Sequence, residues 1–354
     1  MNAKLIEEIA NAVLYEGYML YPYRPSSVKN RQRWNFGVVY PRNYSEAQHG
    51  SEPWFTRTEC LVKGSAETGI TVRVRFLQAI SRVTHEAQTP VSNVEERPEP
   101  RLHAGQNSQS EQQQPQAWQE AAERHGFVEA PRLDQLVNAS VRRVLDLPPT
   151  EATESVNDAD GRLARVIVRT QEPVLGRITL SASRFNNDLY KITLEVSNEG
   201  SVADPNTVRR DSVLMRSLLS AHSLLSVERG EFASLLDTPE ELKQFAAQCK
   251  NVGTWPVLAG EEGQRDAMLS SPIILYDYPQ IAPESTGDLF DGTEIDEILA
   301  LRILTLTDDE KREMRHGDER ARQILERTEA LPEEQFLKLH GILRGMRPTL
   351  GNQQ

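Results

Sequence analysis

The chain has 354 residues, with 40 basic and 52 acidic side chains and a formal net charge of −12. An acidic surface of this kind argues against a protein that coats nucleic acid or an anionic membrane. The only two cysteines, Cys60 and Cys249, form no CxxC pair, which argues against a zinc or iron–sulfur site held by this chain alone. Because no segment supplies the roughly 20 apolar residues of a membrane-spanning helix, we expect a cytoplasmic protein.

Residues 1–85 are predicted to contain one helix followed by strands. Apolar residues recur at helical spacing over residues 3–15, which predicts an amphipathic helix. Proline residues then exclude a regular helix until residues 34–40, which we interpret as a strand. In the string GITVRVRFLQAI valines alternate with arginines, the pattern of a strand with one buried face.

Residues 86–131 differ in composition from the rest of the chain. They are rich in Pro, Glu, Ser and Gln, and include the run Gln112, Gln113 and Gln114. So few apolar side chains cannot offset the entropy cost of ordering the segment. We therefore predict a disordered loop inserted between two β-rich parts.

Residues 132–250 are predicted to hold an antiparallel meander between two helices. Period-two alternation predicts the three strands of the meander, and Asn186 and Asn187 suit the turn before the last strand. We expect these residues to form one body with residues 1–85. The predicted elements are a helix at 133–145, strands at 163–170, 176–183 and 189–197, and a helix at 212–225.

Residues 251–354 are predicted to form an extended segment followed by helices. The absence of a βαβ rhythm in the whole chain argues against a doubly wound sheet. The fold class that follows is α+β. It comprises antiparallel, β-sandwich-like sheets, a helical carboxy-terminal part and the disordered internal loop.

The first candidate site is an aromatic and basic stretch within residues 15–34. Tyrosine, tryptophan and arginine anchor many protein interfaces. The same mixture also binds single-stranded nucleic acid, because aromatic rings stack on bases and basic side chains contact the phosphates. The plain alternative is a loop that packs its tyrosines onto the core. Nucleic acid ranks last, because residues 1–84 hold 11 basic and 7 acidic side chains, a modest excess. The candidate partner-binding residues are Tyr21, Tyr23, Arg24, Lys29, Arg31, Arg33 and Trp34.

The second candidate site is the apolar, proline-punctuated stretch of residues 270–285. A rigid exposed loop of this composition suits recognition of a partner. The preferred alternative is an extended segment packed across the core. On the recognition hypothesis we single out Tyr276, Asp277 and Tyr278.

The third candidate is the acidic stretch of residues 284–297. Asp288, Asp291 and Glu294 are closely spaced carboxylates, which are ligands suited to Ca²⁺ or Mg²⁺. The stretch fails the EF-hand spacing, and acids at a helix start are favoured by the helix dipole alone. Helix capping is therefore preferred, a docking surface comes second, and a metal site is the weak alternative.

Catalytic signatures are missing from the sequence. There is no nucleophile elbow, phosphate-binding loop or dinucleotide fingerprint, and no pair of histidines at metal-ligand spacing. His222 lies in an apolar run that we interpret as helix, where a satisfied core histidine is expected. We predict no catalytic residue and no cofactor.

Several long strings resemble a bacterial family whose members are encoded beside nickel–iron hydrogenase genes. These include EGYMLYPYRPSSVKNRQRWNFGVVYP, RSLLSAHSLLSV and SSPIILYDYPQIAPESTGDLFDGTEIDEILALRILTLTDDEKREMR. The likeness covers most of the chain outside residues 86–131. It implies a hydrogenase accessory or maturation protein that binds a hydrogenase subunit or maturation factor, without catalysis. The alternatives are a metal-assisted hydrolase using residues 284–297 and a single-strand nucleic-acid binder using residues 15–34.

Overall fold

The computed structural model describes six stretches of the chain, and every structural statement below refers to them. They are residues 3–15, 37–86, 116–129, 131–157 and 161–280, and within 308–330 residues 308–315, 322, 325, 326, 329 and 330. The helices are α1 (Ala3–Tyr15), α2 (Arg42–Ala47), α3 (Leu133–Asn138), α4 (Arg210–Leu214), α5 (Lys243–Ala246) and α6 (Asp308–Arg315). The strands are β1 (Phe55–Glu86), β2 (Gln116–Val128), β3 (Val141–Leu147), β4 (Thr150–Asn157), β5 (Leu163–Gln171), β6 (Val174–Arg184), β7 (Leu189–Asn198), β8 (Leu219–Ala233), β9 (Trp255–Leu258) and β10 (Ala267–Ser271).

Ten strands form one antiparallel sheet that is organised around β1. This strand is 32 residues long, and four other strands pair with it. From its start, β1 pairs with β7 over residues 55–63, with β8 over 61–77, with β2 over 72–84 and with β5 over 81–86. The two β-rich parts of the sequence therefore share one sheet.

The sheet continues on both sides of β1. On one side it runs through β7 and β6 to β3, and on the other through β8 and β10 to β9, while β4 pairs with β5. Val252, which lies just before β9, also forms a backbone bridge with Arg57 of β1. The two residues exchange hydrogen bonds of 3.0 and 2.9 Å. The β9 end of the sheet therefore curls back toward the start of β1.

The register of β1 with β8 shifts between Gly64 and Gly69, and because an irregularity of this kind bends a strand, we place a bend in β1 there. Thr68 is fully buried there, and its hydroxyl donates to the Arg229 carbonyl at 2.7 Å. A Cβ atom at Gly64 or at Gly230 would collide with the Thr68 side chain. The two glycines therefore make the space that Thr68 fills at the bend.

The main core lies on one face of this curled sheet. Val72, Val74 and Phe76 of β1 are fully buried there, as the alternation with arginines predicted. Side chains from α3 and from β2, β3, β6, β7, β8, β9 and β10 also belong to this cluster. Burial of this apolar surface is the main contribution to stability.

Helix α1 covers part of the opposite face, and its predicted bounds are confirmed. Ile6, Ile9 and Val13, which follow its helical spacing, pack against Val257 and Leu269 of β9 and β10. A helix of this length is only marginally stable in isolation, and packing of its apolar stripe on the sheet stabilises it.

Polar contacts also fasten α1 to the sheet through Arg75, whose side chain lies beneath the helix and is only 2% exposed. Its Nε donates to Glu123 Oε1 at 2.8 Å, and its Nη2 donates to Asn11 Oδ1 at 2.6 Å. Glu7 Oε1 lies 3.1 Å from Nη1. One buried guanidinium therefore joins β1, β2 and α1.

The three strands predicted for the meander are confirmed as β5, β6 and β7, but they do not form a meander, because β6 pairs with β7 whereas β5 pairs with β1 and β4. Both flanking helices are wrong. The helix expected at 133–145 ends at Asn138 as α3, and residues 141–147 form β3, which pairs with β6. The helix expected at 212–225 is the short α4 followed by strand β8. Strand β8 is buried on both faces over its first five residues, and a continuous apolar run does not distinguish such a strand from a buried helix.

The disordered loop expected at 86–131 is wrong over its last part. Residues 116–128 form β2, which pairs with β1 along its whole length. Backbone hydrogen bonds to β1 order this polar strand, a contribution that composition does not reveal. Residues 87–115 lie outside the described chain.

Three other expectations are only partly met. The antiparallel β character is confirmed, but a sandwich is not, because the strands belong to one connected sheet. Of the strand expected at 34–40, only residues 37–40 are described, and they form a single bridge between Val39 and Leu218. Of the predicted carboxy-terminal helices, α6 lies within the described residues, as does the buried side chain of Leu325.

We expect Glu123→Ala to lower the free energy of unfolding by about 2 kcal/mol, because Arg75 stays buried with one carboxylate fewer. Glu129→Ala is the matched control, since this exposed carboxylate follows β2 directly, and its effect should stay within about 0.5 kcal/mol. Urea unfolding followed by circular dichroism measures both. Equal effects would contradict the role given to Arg75.

His222 lies on β8, not on the expected helix, and is buried. Its Nδ1 lies 3.0 Å from the Ser220 carbonyl oxygen. Burial lowers the pKa of its imidazole from 6.5 to about 3, and the charges of Arg75 and Arg73 act in the same direction.

This lowered pKa predicts a specific acid sensitivity. Between pH 6.5 and about 3 the unfolded histidine binds a proton that the folded one does not, so stability falls as the pH falls. His222→Gln cannot take up that proton. We therefore expect its free energy of unfolding to fall less steeply from pH 6.5 to pH 4.5 than that of the wild type, by up to about 1.4 kcal/mol per pH unit. Parallel curves from denaturant titrations would contradict this.

Candidate functional site

A cleft opens where the curled end of the sheet meets the segment before α2. Its volume is about 580 Å³, within the usual range for ligand sites. Its walls come from five separate parts of the chain, so only the folded protein contains it. The lining residues are Gly37, Val38, Tyr40, Glu52, Pro53, Thr56, Arg210, Gly253, Trp255 and Pro272.

The first wall is the segment 37–40, which Asn198 holds in place. The Asn198 side-chain amide is fully buried and donates to the carbonyls of Val39 at 3.0 Å and Arg216 at 2.8 Å. The Tyr40 N–H donates to the Pro53 carbonyl at 2.8 Å. Backbone hydrogen bonds of this kind fix the wall without using its side chains.

The opposite wall carries Trp255, the first residue of β9. Glu59 fixes the loop that precedes this residue. The Glu59 carboxylate accepts from the Lys250 N–H at 2.7 Å and from Lys191 Nζ at 3.2 Å. Burial by itself would raise the pKa of Glu59, but these donors hold it below its ordinary value. The Glu59 N–H in turn donates to Asn251 Oδ1 at 2.7 Å. The loop that enters β9 is therefore anchored to β1.

Buried hydroxyl groups join the strands just inside the cleft. Thr58 and Ser270 are 2.7 Å apart through their hydroxyl oxygens, although β1 and β10 are not neighbours in the sheet. The Thr254 hydroxyl also hydrogen-bonds Ser270. Because each buried hydroxyl has a partner, this end of the sheet is closed without an unpaired polar group among these three.

Tyr40 supplies the polar centre of the cleft. Its buried ring lies 5.6 Å from that of Tyr44, and its hydroxyl accepts from Arg210 Nη2 at 2.8 Å. Burial raises the pKa of the Tyr40 hydroxyl above its ordinary value; Glu52 adds to this rise and Arg210 opposes it. The hydroxyl is therefore a neutral group between a cation and an anion.

The 272–280 segment leaves the cleft at Pro272 and places two apolar side chains in solvent. Ile274 is 75% exposed and Tyr276 is 87% exposed. After them the segment is held by internal contacts: Asp277 Oδ1 accepts from the Leu258 N–H, and the Tyr278 N–H donates to the Leu258 carbonyl, both at 2.8 Å. The exposed pair is thus presented on an anchored backbone.

These positions bear on the second candidate site of the sequence. Tyr276 is available to a partner, whereas the carboxylate of Asp277 and the ring of Tyr278 face inward. Both features that the sequence suggested, exposure and packing across the core, occur in one segment. A role for any of the three in binding stays a prediction.

The other candidates lie outside the described residues. This applies to Tyr21, Tyr23, Arg24, Lys29, Arg31, Arg33 and Trp34, and to Asp288, Asp291 and Glu294. Among the residues that are described, no group of three or more His, Cys, Asp or Glu side chains is placed to hold a metal ion. No helix in the described parts of the chain is long and apolar enough to cross a membrane.

Sequence reasoning missed Tyr40, Glu52, Arg210 and Trp255 as members of one site. No local pattern connects them, because the residues are up to about two hundred positions apart and meet only through the sheet. The dipeptide of Trp255 and Pro256 after Gly253 is the one weak local signal.

Comparison with known proteins identifies no relative of this chain. Neither protein-family models, nor curated proteins, nor solved structures give a significant match to the chain.

We expect Gly37→Ala to destabilise the protein more than Gly50→Ala. Both glycines have positive φ, 56° and 76°, so each alanine costs about 1–2 kcal/mol in backbone strain. At position 37 the new Cβ would also lie 2.5 Å from Pro272 Cγ, whereas at position 50 it meets no atom within 4 Å. The difference between the two unfolding free energies should reach about 1–3 kcal/mol. Equal losses would show that Gly37 and Pro272 are not in close contact.

Proposed function

We propose that the protein is a non-catalytic assembly protein that binds a partner protein through the 272–280 segment. The observation that carries the proposal is the exposure of Ile274 and Tyr276 next to each other on an anchored backbone. Neighbouring exposed apolar side chains can form a contact patch for a partner, and tyrosine is a frequent anchor of interfaces.

The anchoring of the segment matters for affinity. Ile273 and Leu275 pack against the cluster under α1, while Asp277 is hydrogen-bonded to Leu258 and Ser234. A segment that is already ordered loses little conformational entropy when a partner binds. The buried half of the segment therefore supports the binding function of the exposed half.

The partner that we propose is a hydrogenase subunit or a hydrogenase maturation factor in the cytoplasm. The support for this choice is the likeness of the long sequence strings, one of which contains the 272–280 segment. The exposed apolar side chains of the segment form a contact surface that suits binding of a protein partner.

The test is the affinity of purified hydrogenase subunits and maturation factors for the wild type and for Tyr276→Ala. We expect one component to bind, and the substitution to weaken it at least tenfold, or about 1.4 kcal/mol, because an interface anchor is lost. Val144→Ala is the matched control: Val144 is 66% exposed on β3, at the other end of the sheet.

Calorimetric titration or surface plasmon resonance gives these affinities directly. The control variant should bind as the wild type does. If no hydrogenase component binds, the proposed partner is wrong. If a component binds and Tyr276→Ala leaves its affinity unchanged, the proposed surface is wrong.

A further inference from the structure

We propose that the cleft binds an uncharged, proline-containing peptide segment in extended conformation. This inference rests on the proposed function in one respect, since it takes the segment to be part of the protein partner. It concerns different residues, however: the cleft is lined by Tyr40, Trp255 and two prolines, not by Tyr276.

The shape of the walls favours proline. Trp255 is 44% exposed and stands on one wall, and Pro53 and Pro272 contribute further flat apolar surfaces. Aromatic walls of this kind accept polyproline II segments, which are extended before they bind and so lose little entropy. A flexible, highly polar peptide gains neither advantage.

The charges of the described lining residues disfavour a strongly charged ligand. Arg210 and Glu52 are the ionisable groups of opposite sign among the lining residues, and both act on the Tyr40 hydroxyl. A phosphate that approaches Arg210 meets the carboxylate of Glu52, and a cation that approaches Glu52 meets Arg210. A peptide unit is neutral. Its carbonyl can accept a hydrogen bond from Arg210, and its N–H can donate one to Glu52.

The position of the cleft connects it to the proposed contact surface. Pro272 lines the cleft, and Ile274 and Tyr276 follow it on the same segment. A partner chain that contacts the exposed pair therefore reaches the cleft within a few residues. Two adjoining contacts on one rigid support add affinity without a further loss of freedom.

The test uses the full-length protein labelled with fluorinated tryptophan, in which each of the four tryptophans gives a fluorine NMR signal. Trp255→Phe identifies the signal of Trp255. The probe is a blocked octapeptide of four alanine–proline repeats. We expect a saturable shift of the Trp255 signal, and at least tenfold weaker binding to Trp255→Ala.

Three controls make the outcome specific. Trp54→Ala is the matched variant, because Trp54 stacks beneath Arg42 outside the lining, and it should leave peptide affinity unchanged. A blocked octapeptide of four glycine–serine repeats and inorganic phosphate should leave the Trp255 signal unshifted. An equal response to both peptides, a response to phosphate, or no response to the proline peptide would each overturn the proposal.

The two proposals fail separately. If Tyr276→Ala lowers the affinity for the partner while the proline peptide leaves the Trp255 signal unshifted, the cleft inference is wrong and the proposed function stands. If the peptide binds at Trp255 while no hydrogenase component binds, the proposed partner is wrong and the cleft inference stands.

Discussion

The bend in β1 is the constraint on which the rest of the structure depends. At the bend Thr68 is buried between Gly64 and Gly230, and its hydroxyl is satisfied by the Arg229 carbonyl. A straight strand of 32 residues would extend far beyond any single core. Because β1 bends, its first half pairs with β7 and its second half with β2, while β8 follows it across the bend. One strand thereby holds together parts of the chain that are distant in sequence.

Polar side chains, not the apolar core, place the surfaces that we assign to binding. Glu59 fixes the loop before Trp255, Asn198 fixes the 37–40 wall, and Asp277 fixes the exposed segment, each through hydrogen bonds to backbone groups. Such bonds have a defined direction, whereas apolar contacts do not. The core thus supplies stability, and these three residues determine where the recognition residues stand.

The parts of the fold that sequence predicts are those with a clear local period. Helix α1 and strands β5, β6 and β7 alternate or repeat so regularly that their type follows from the pattern. Strand β8 is buried on both faces and so resembles a helix in sequence, and β2 is ordered by pairing that its polar composition hides. Of the surfaces that we assign to binding, the sequence singled out only Tyr276, Asp277 and Tyr278 of the 272–280 segment, and their role in binding stays a prediction. The cleft depends on contacts across the whole sheet, which no local pattern contains.

We propose that the cleft and the 272–280 segment together form the face on which a protein partner binds. Amide hydrogen exchange of the protein, alone and in complex with the proposed hydrogenase partner, locates the bound face. We expect slower exchange in the complex at residues 253–255 and 273–278, with no change in the β4–β5 hairpin. Protection confined to that hairpin, with the cleft residues unchanged, would contradict it.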